Sequence, residues 1–251
     1  MPARHGAAMS PVPTIFDEHR RRARYARALA RQRRPGAARW LLEAMAEDVV
    51  ERLGFLRWRG ERALISGLGG EAIAIALGQA AAGPVDFAEP IAGGPYDLIV
   101  SLGELDTVND LPGALIHLRH ALSPGGLLIA AMLGAGSLPE LRRALLAADA
   151  DRPSARIHPQ IDTRAASGLL QRAGFMRQVV DQHTLTVRFA ALQTLIGDLR
   201  DQGQSSILAD QAFTLGRVAR ERAIRAFADS AAPDGKTCER FEIITITAWK
   251  D

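Results

Sequence analysis

The sequence predicts an α/β domain with a mostly parallel sheet, to which antiparallel strands are added late in the chain. Three short apolar runs, at residues 63–66, 96–101 and 127–133, are separated by segments long enough for helical crossovers. Such runs are typical of parallel strands that are buried on both faces. With 251 residues and 47% hydrophobic composition, the chain can form one sizeable core.

The remaining elements follow from composition and periodicity. Helical patterns lie at residues 16–34, 37–53, 71–82, 111–121, 137–148, 163–173, 190–201 and 214–228. Between the glycines that follow the first apolar run and Tyr96, residues 85–87 are the only strand candidate. Alternating residues predict two late strands at 176–182 and 184–189, and a β-branched run predicts the last at 241–249.

The first apolar run ends in a glycine-rich turn. Gly67, Gly69 and Gly70 follow it, and an alanine-rich helical pattern begins near Glu71. A strand, a tight glycine turn and a helix N-terminus form the opening unit of nucleotide-binding α/β folds, because glycine lets the backbone approach a ligand closely. Turns of this composition also serve packing alone, so both interpretations stay open.

The N-terminal region is strongly basic. The chain has 31 Lys and Arg against 28 Asp and Glu, and residues 19–34 hold most of the arginine excess. We predict a basic, partly disordered arm over residues 1–36 and one domain over residues 37–251. The stretch from Arg20 to Arg34 suggests an acidic protein partner, a phosphate-bearing ligand or a membrane surface, with a solvated helix as the alternative. Tyr25 is the one interleaved aromatic residue, which disfavours nucleic acid.

Composition also narrows the chemistry. A single cysteine, Cys238, excludes an internal disulfide and a cysteine-based metal cage, and the histidines lack ligand spacing, so no metal site is predicted. No apolar run reaches the roughly 18–20 residues of a transmembrane helix. The N-terminus lacks a secretory apolar segment, and the expected location is cytoplasmic.

Several motifs together resemble one protein family. They are VNDLPGAL at residues 108–115, ALSPGG at 121–126, LLQRAGF at 169–175 and FEII at 241–244, with the strand at 96–101 before them. With these motifs the chain resembles class I S-adenosylmethionine (SAM)-dependent methyltransferases. Within them it is most similar to the branch of the malonyl-carrier-protein methyltransferase of biotin synthesis and the methyltransferase-fold assembly factor of respiratory complex I. The resemblance implies a Rossmann-like methyltransferase fold and SAM as cofactor.

The resemblance also implies where a cofactor and a catalytic base would lie. The implied cofactor-binding residues are Gly67, Leu68, Gly69, Gly70, Asp86, Ser101 and Leu102. Glu104 and Asp106 stand where this branch has neutral or basic residues, and are candidate general bases. The alternative is that both are exposed loop acids.

Three departures from the family predict a degraded SAM site. Ile65 stands where the family has an acid that holds the methionine end of SAM, and Glu71 replaces the third glycine of the turn. From Ser66 to Tyr96 there are only roughly 30 residues, enough for one crossover. The family has two strands there, so we predict a sheet shortened by one strand–helix unit. Asp86 or Glu89 could then replace the missing ribose-binding acid.

Three functional hypotheses remain. The first is a methyltransferase with an altered cofactor site, and the second is a non-catalytic assembly or interaction factor, for example for a respiratory complex. The third is a different enzyme on the same scaffold, such as the hydroxylase attributed to the complex I branch. A fold does not decide among them. The resemblance favours a methyltransferase-family protein with a degraded SAM site and an unknown substrate.

Overall fold

The computed structural model describes residues 13–78, 85–150 and 152–251. Within these residues five strands form one sheet, in the order β1-β2-β3-β5-β4. The strands are β1 Ala63–Gly67, β2 Tyr96–Leu102, β3 Leu122–Leu133, β4 Arg177–Phe189 and β5 Thr237–Trp249. The first three run parallel to one another, and β5 is antiparallel to both of its neighbours. The predicted fold class is confirmed.

Eight α-helices surround the sheet in the same part of the chain. They are α1 Glu18–Gln32, α2 Trp40–Phe55, α3 Gly70–Leu77, α4 Leu111–Ala121, α5 Pro139–Ala148, α6 Thr163–Arg172, α7 Leu192–Asp201 and α8 Arg217–Ala228. A short 3-10 helix, Leu105–Thr107, follows β2. The end of the helix predicted over residues 71–82 lies partly outside the described residues.

Successive side chains of a strand point to opposite faces of the sheet, so the core forms two layers, one on each face. Leu98, Val100 and Leu102 of β2 face a layer that contains residues of α2, α3, α5, α7 and α8. Ile99 faces the other layer, which contains residues of α4 and α6. Both faces of the parallel strands are therefore covered, as their continuous apolar runs predict.

Residues 177–189 form one strand, and the prediction of two strands, at 176–182 and 184–189, was wrong. The pairing of β4 with β5 continues from Arg177 opposite Trp249 to Phe189 opposite Thr237. The polar residues near Gln182 and His183 do not interrupt it, because β4 is the edge strand and has many exposed positions. A polar stretch inside a strand is thus tolerated where it faces solvent.

The strand predicted at residues 85–87 is not formed, because the described residues there lie in a loop and a turn. Phe87 is only 1% exposed and packs in the layer of α4, where its carbonyl oxygen lies 3.0 Å from Nδ1 of His117. Its apolar side chain anchors a loop to the core. Among the described strands, β1 is therefore at the edge of the sheet.

Helix α1, which holds much of the arginine-rich stretch, packs on the rest of the protein. Asp17 caps it by accepting a hydrogen bond from the backbone nitrogen of Arg20 at 2.9 Å. Phe16 is buried and pairs with Leu208 in an isolated bridge. The start that was expected to be disordered falls mainly on residues 1–12, which lie outside the described residues, and the division at residue 36 stays a prediction.

The junction of β1 and β2 generates a stability prediction. A Cβ at Gly67, whose φ is +97°, would collide with the carbonyl oxygen of Leu102, which belongs to the backbone and cannot rotate away. We expect Gly67→Ala to lower the free energy of unfolding by about 2–4 kcal/mol. Urea denaturation measures this change.

Gly197→Ala is the matched control for that substitution. Gly197 lies within α7, and a Cβ added there would meet no atom within 4 Å. Because alanine favours a helix by about 1 kcal/mol over glycine, this variant should be as stable as the wild type or slightly more stable. Equal effects of the two substitutions would contradict the packing argument.

Candidate functional site

A crevice lies where the carboxyl ends of β1 and β2 meet α1. It encloses about 210 Å³. The residues that define it here are Arg21, Arg24, Tyr25, Leu68, Gly103 and Glu104. In parallel α/β sheets, ligands bind outside the carboxyl ends of the strands, so the crevice occupies the place that the resemblance assigns to a cofactor.

Packing accounts for the glycines of the turn. Gly67 lets β1 approach the backbone of Leu102, as described above. Gly69 has a φ of +88°, and a Cβ there would lie 3.1 Å from the Cβ of Leu42 in α2. The same distance separates a Cβ at Gly70 from a methyl carbon of Ile65. The glycine pattern alone therefore does not require a ligand.

Glu104 is a buried acid at the inner wall of the crevice. It is 5% exposed, and its Oε2 accepts a hydrogen bond from Oγ of Ser66 at 2.6 Å. Burial raises the pKa of the Glu104 carboxyl to about 7, although the hydrogen bond from Ser66 and the charge of Arg21 act in the opposite direction. The interpretation of Glu104 as an exposed loop acid was wrong.

Asp106 lies two residues further along, on the 3-10 helix, and it lines a different cavity. Its Oδ1 is buried and has no hydrogen-bond partner among the described atoms. Burial raises the pKa of the Asp106 carboxyl, and the positive charge of Arg24 opposes that rise. The two acids predicted as candidate bases are thus turned toward separate cavities, and their catalytic role stays a prediction.

Arginines of α1 form part of the crevice wall. Arg24 is 7% exposed and donates to Oγ1 of Thr107 at 3.2 Å and to the carbonyl oxygen of Ser205 at 3.3 Å. Burial lowers the pKa of the Arg24 guanidinium. The guanidinium of Arg21 lies over the ring of Phe87, 5.5 Å from its centroid. These two side chains are internal, in contrast to the solvated arm that the composition suggested.

Sequence analysis did not identify α1 as part of this site. Arg21, Arg24, Tyr25 and Ala28 recur at intervals of three or four residues, which places them on one helix face. This spacing was a usable signal. It is concealed because arginine side chains also occupy the opposite, exposed face.

The predicted cofactor residues are divided between the crevice and the protein interior. Leu68, Asp86 and Leu102 line the crevice. Ser101 is buried in β2, and its Oγ has no hydrogen-bond partner in the described structure. Asp86 accepts from the guanidinium of Arg22 at 3.0 Å. With Gly67, Gly69 and Gly70 in the turn beside them, all seven remain predicted cofactor residues.

Ile65 and Glu71, the two residues of the turn region that depart from the family, lie in different environments. Ile65 is fully buried in the layer of α2 and α3, where it serves as a core residue. Glu71 is exposed in the first turn of α3, where the helix dipole favours a negative charge.

In the part of the chain that the structure covers, no cluster of three or more His, Cys, Asp or Glu residues could hold a metal ion. No helix there has the length and apolarity to cross a membrane.

Comparison with known proteins identifies two groups of relatives. The chain is 32% identical over 165 residues to the mitochondrial arginine-hydroxylase NDUFAF5 of Mus musculus, which covers 64% of this chain and 48% of that protein. It is 32% identical over 163 residues to the malonyl-[acyl-carrier protein] O-methyltransferase of Xylella fastidiosa, covering 64% and 54%. The chain thus spans about half the length of these curated relatives. No protein-family model matches it.

Solved structures share the fold. A candidate methyltransferase of Bacillus halodurans superposes with a TM-score of 0.52 at 14% identity, covering 80% of this chain and 98% of that one. The YcgJ protein of Bacillus has a TM-score of 0.50 at 10% identity, covering 83% and 98%. The protein has a methyltransferase fold, and the resemblance predicted from its motifs is confirmed by relatives in the same branch.

The buried carboxyl generates a prediction for pH dependence. Because the pKa of Glu104 is about 7 in the folded protein and 4.5 in a freely solvated side chain, the folded protein binds the proton more tightly than the unfolded chain. Its contribution to stability is therefore complete below about pH 4.5 and is lost as the pH rises through 7. That loss is on the order of 3 kcal/mol.

Urea denaturation between pH 4.5 and pH 8 tests this. Glu104→Gln should remove the corresponding part of the decline in the free energy of unfolding, because the amide does not ionise. Glu71→Gln changes an exposed carboxyl on α3 and should keep the wild-type profile. An unchanged profile in Glu104→Gln would show that Glu104 is ionised without penalty.

Proposed function

We propose that this protein is a methyltransferase-fold binding protein with a degraded SAM site, and that it acts as an assembly or interaction factor. The observation that carries this proposal is that the chain's own charged side chains line the crevice where SAM would bind. Glu104 reaches the end of β1 through Ser66, and arginines of α1 face it from the other side. The activity of the longer relatives is not assumed for this chain.

The size of the crevice supports weak cofactor binding. Sites that enclose drug-sized ligands measure about 300–1,000 Å³. The 210 Å³ found here is below that range. Arg24, on the wall that α1 forms, is held by hydrogen bonds to Thr107 and Ser205. Enlarging the crevice by a movement of α1 would break these hydrogen bonds.

The polar groups also fit SAM poorly. Ile65 offers no acceptor to the ammonium group, and Glu71 opposes the ligand carboxylate. Asp86 could bind ribose hydroxyls only in competition with its ion pair to Arg22. Each unsatisfied polar group costs about 1–3 kcal/mol, so several together reduce affinity by orders of magnitude.

An interaction role is supported by the two faces of α1. One face is docked through Arg21 and Arg24. The other exposes Arg27, and Arg33 follows the helix, also exposed. Such a surface suits an acidic protein partner, with a membrane surface as the alternative. Because the chain resembles the branch of the complex I assembly factor, a respiratory complex is the partner that we propose. The predicted cytoplasmic location requires that this partner be accessible from the cytoplasm.

A second candidate is a working methyltransferase with an altered site. The observation in its favour is the position of the Glu104 carboxylate. Glu104 follows β2, and its hydrogen bond to Ser66 places the carboxylate beside the end of β1. Ile65, which stands where the family has an acid, precedes Ser66 in β1. From the neighbouring strand, the Glu104 carboxylate could accept a hydrogen bond from the ammonium group of SAM. This interaction requires the Glu104 carboxyl to ionise and to accept hydrogen bonds from both Ser66 and the ligand.

A thermal-shift measurement separates the two candidates. At about 0.1 mM SAM we expect no change in melting temperature, since a ligand stabilises by RT ln(1 + [L]/Kd) and this term vanishes when Kd far exceeds the concentration. A shift of several degrees, equivalent to about 1–2 kcal/mol for a chain of this size, would instead show that SAM binds and favour the working methyltransferase.

A double substitution tests why binding is absent. Ile65→Asp with Glu71→Gly restores the two family residues of the turn. If this variant folds and gains a SAM-dependent shift, the site has decayed by substitution. If it folds and stays unresponsive, the closed crevice is the cause. Glu71→Gln is the control, because it removes the negative charge without restoring the glycine.

A further inference from the structure

A second cavity lies beyond the carboxyl end of β3, next to the crevice. It encloses about 360 Å³, within the range of small-molecule sites. One part of its wall is aliphatic, and we define it as the leucine cavity by Leu133, Leu138, Leu141, Leu145, Ile196 and Leu199. These residues come from β3, α5 and α7 and the segment between β3 and α5. An apolar ligand would bury its chain against them.

Asp106 lines the leucine cavity, and one oxygen of its carboxyl group has no partner in the described structure. Its Oδ1 is buried without a hydrogen-bond partner. No ion pair within 4 Å joins Asp106 to Arg24 in the described part of the chain, because Arg24 donates instead to Thr107 and Ser205. A buried polar atom without a partner costs about 1–3 kcal/mol, so a ligand that supplies a donor gains this energy.

Three other polar side chains of the cavity, those of Arg20, Arg156 and His158, already have partners. The Nε2 of His158 accepts from the backbone nitrogen of Ile207 at 2.9 Å, and Arg156 donates to both carboxylate oxygens of Asp149, at 2.6 and 2.7 Å. Burial lowers the pKa of His158 to about 4, so its ring is neutral at physiological pH. Arg20 donates to the carbonyl oxygen of Leu208.

Two further charged residues, Arg200 and Asp210, line the same cavity but are exposed. They have opposite charges and remain hydrated, so neither strongly favours one sign of ligand charge. The group that distinguishes this cavity is therefore the Asp106 carboxyl, whose Oδ1 is buried without a partner.

From this arrangement we propose that the leucine cavity binds an aliphatic primary amine, whose ammonium group donates to Asp106 while its alkyl chain packs on the leucines. An ammonium group supplies the missing donor and stabilises the ionised form of the Asp106 carboxyl, which burial disfavours, and a charge-assisted hydrogen bond is about twice as strong as a neutral one. The site is separate from the SAM crevice, although Gln204 lines both. The proposal does not depend on whether SAM binds.

Titration of the full chain with octan-1-amine, followed by ¹H–¹⁵N NMR, tests the proposal. We expect saturable shifts with a Kd below about 1 mM, equivalent to about 4 kcal/mol of binding free energy. Octan-1-ol should bind at least tenfold more weakly, and octanoate more weakly still. Each methylene added from hexan-1-amine to octan-1-amine should tighten binding about fourfold.

Asp106→Asn is the decisive variant. It should weaken octan-1-amine at least tenfold and change the affinity for octan-1-ol less than threefold. Asp210→Asn, which neutralises the exposed acid of the same cavity, is the matched control and should leave both affinities unchanged. Ile196→Trp narrows the cavity from α7 and should weaken amine and alcohol alike.

Several results would overturn the proposal. They are the absence of saturation by octan-1-amine up to millimolar concentration, tighter binding of octanoate than of the amine, or equal loss of amine binding in Asp106→Asn and Asp210→Asn. If Asp106→Asn fails to fold, the ranking of amine, alcohol and octanoate on the wild-type protein still decides. Addition of SAM at about 0.1 mM should leave the amine affinity unchanged, which keeps this test independent of the proposed function.

Discussion

The hydrogen bond from Ser66 to Glu104 is the contact around which the crevice is organised. It joins the carboxyl ends of β1 and β2 and brings an acid into a nearly dry environment. Burial of a charge is costly unless opposite charges and donors face it, and here Arg21 lies near enough to lower the pKa of the acid. The docking of α1 follows from the same requirement, because the helix supplies the cations that this end of the sheet needs.

The loop before β2 is a second constraint. It is bound to the α4 layer by Phe87 rather than added to the sheet as a strand, so β1 remains at the edge in the described part of the chain. The family uses strands in this interval to present a ribose-binding acid. Asp86 instead pairs with Arg22 of α1, so the short interval and the basic helix meet in one ion pair.

The two cavities show why neighbouring residues need not share a role. Glu104 and Asp106 are separated by one residue in a 3-10 turn, and this turn directs one carboxyl to the crevice and the other to the leucine cavity. In this protein Arg24 and its hydrogen bonds lie close to both acids, and its charge acts on each of them.

The sequence alone determined the parallel strands, most helices and the family resemblance, because apolar periodicity and local motifs depend on neighbouring residues. It also located the departures at Ile65 and Glu71. It did not show that residues 177–189 form one strand, since pairing with β5 across the sheet overrides local polarity. Only the tertiary structure decided that Glu104 is buried and that Arg24 is internal. Burial depends on which distant segments pack on a side chain. An interpretation from composition alone places charged residues in solvent, because most charged residues of proteins are exposed.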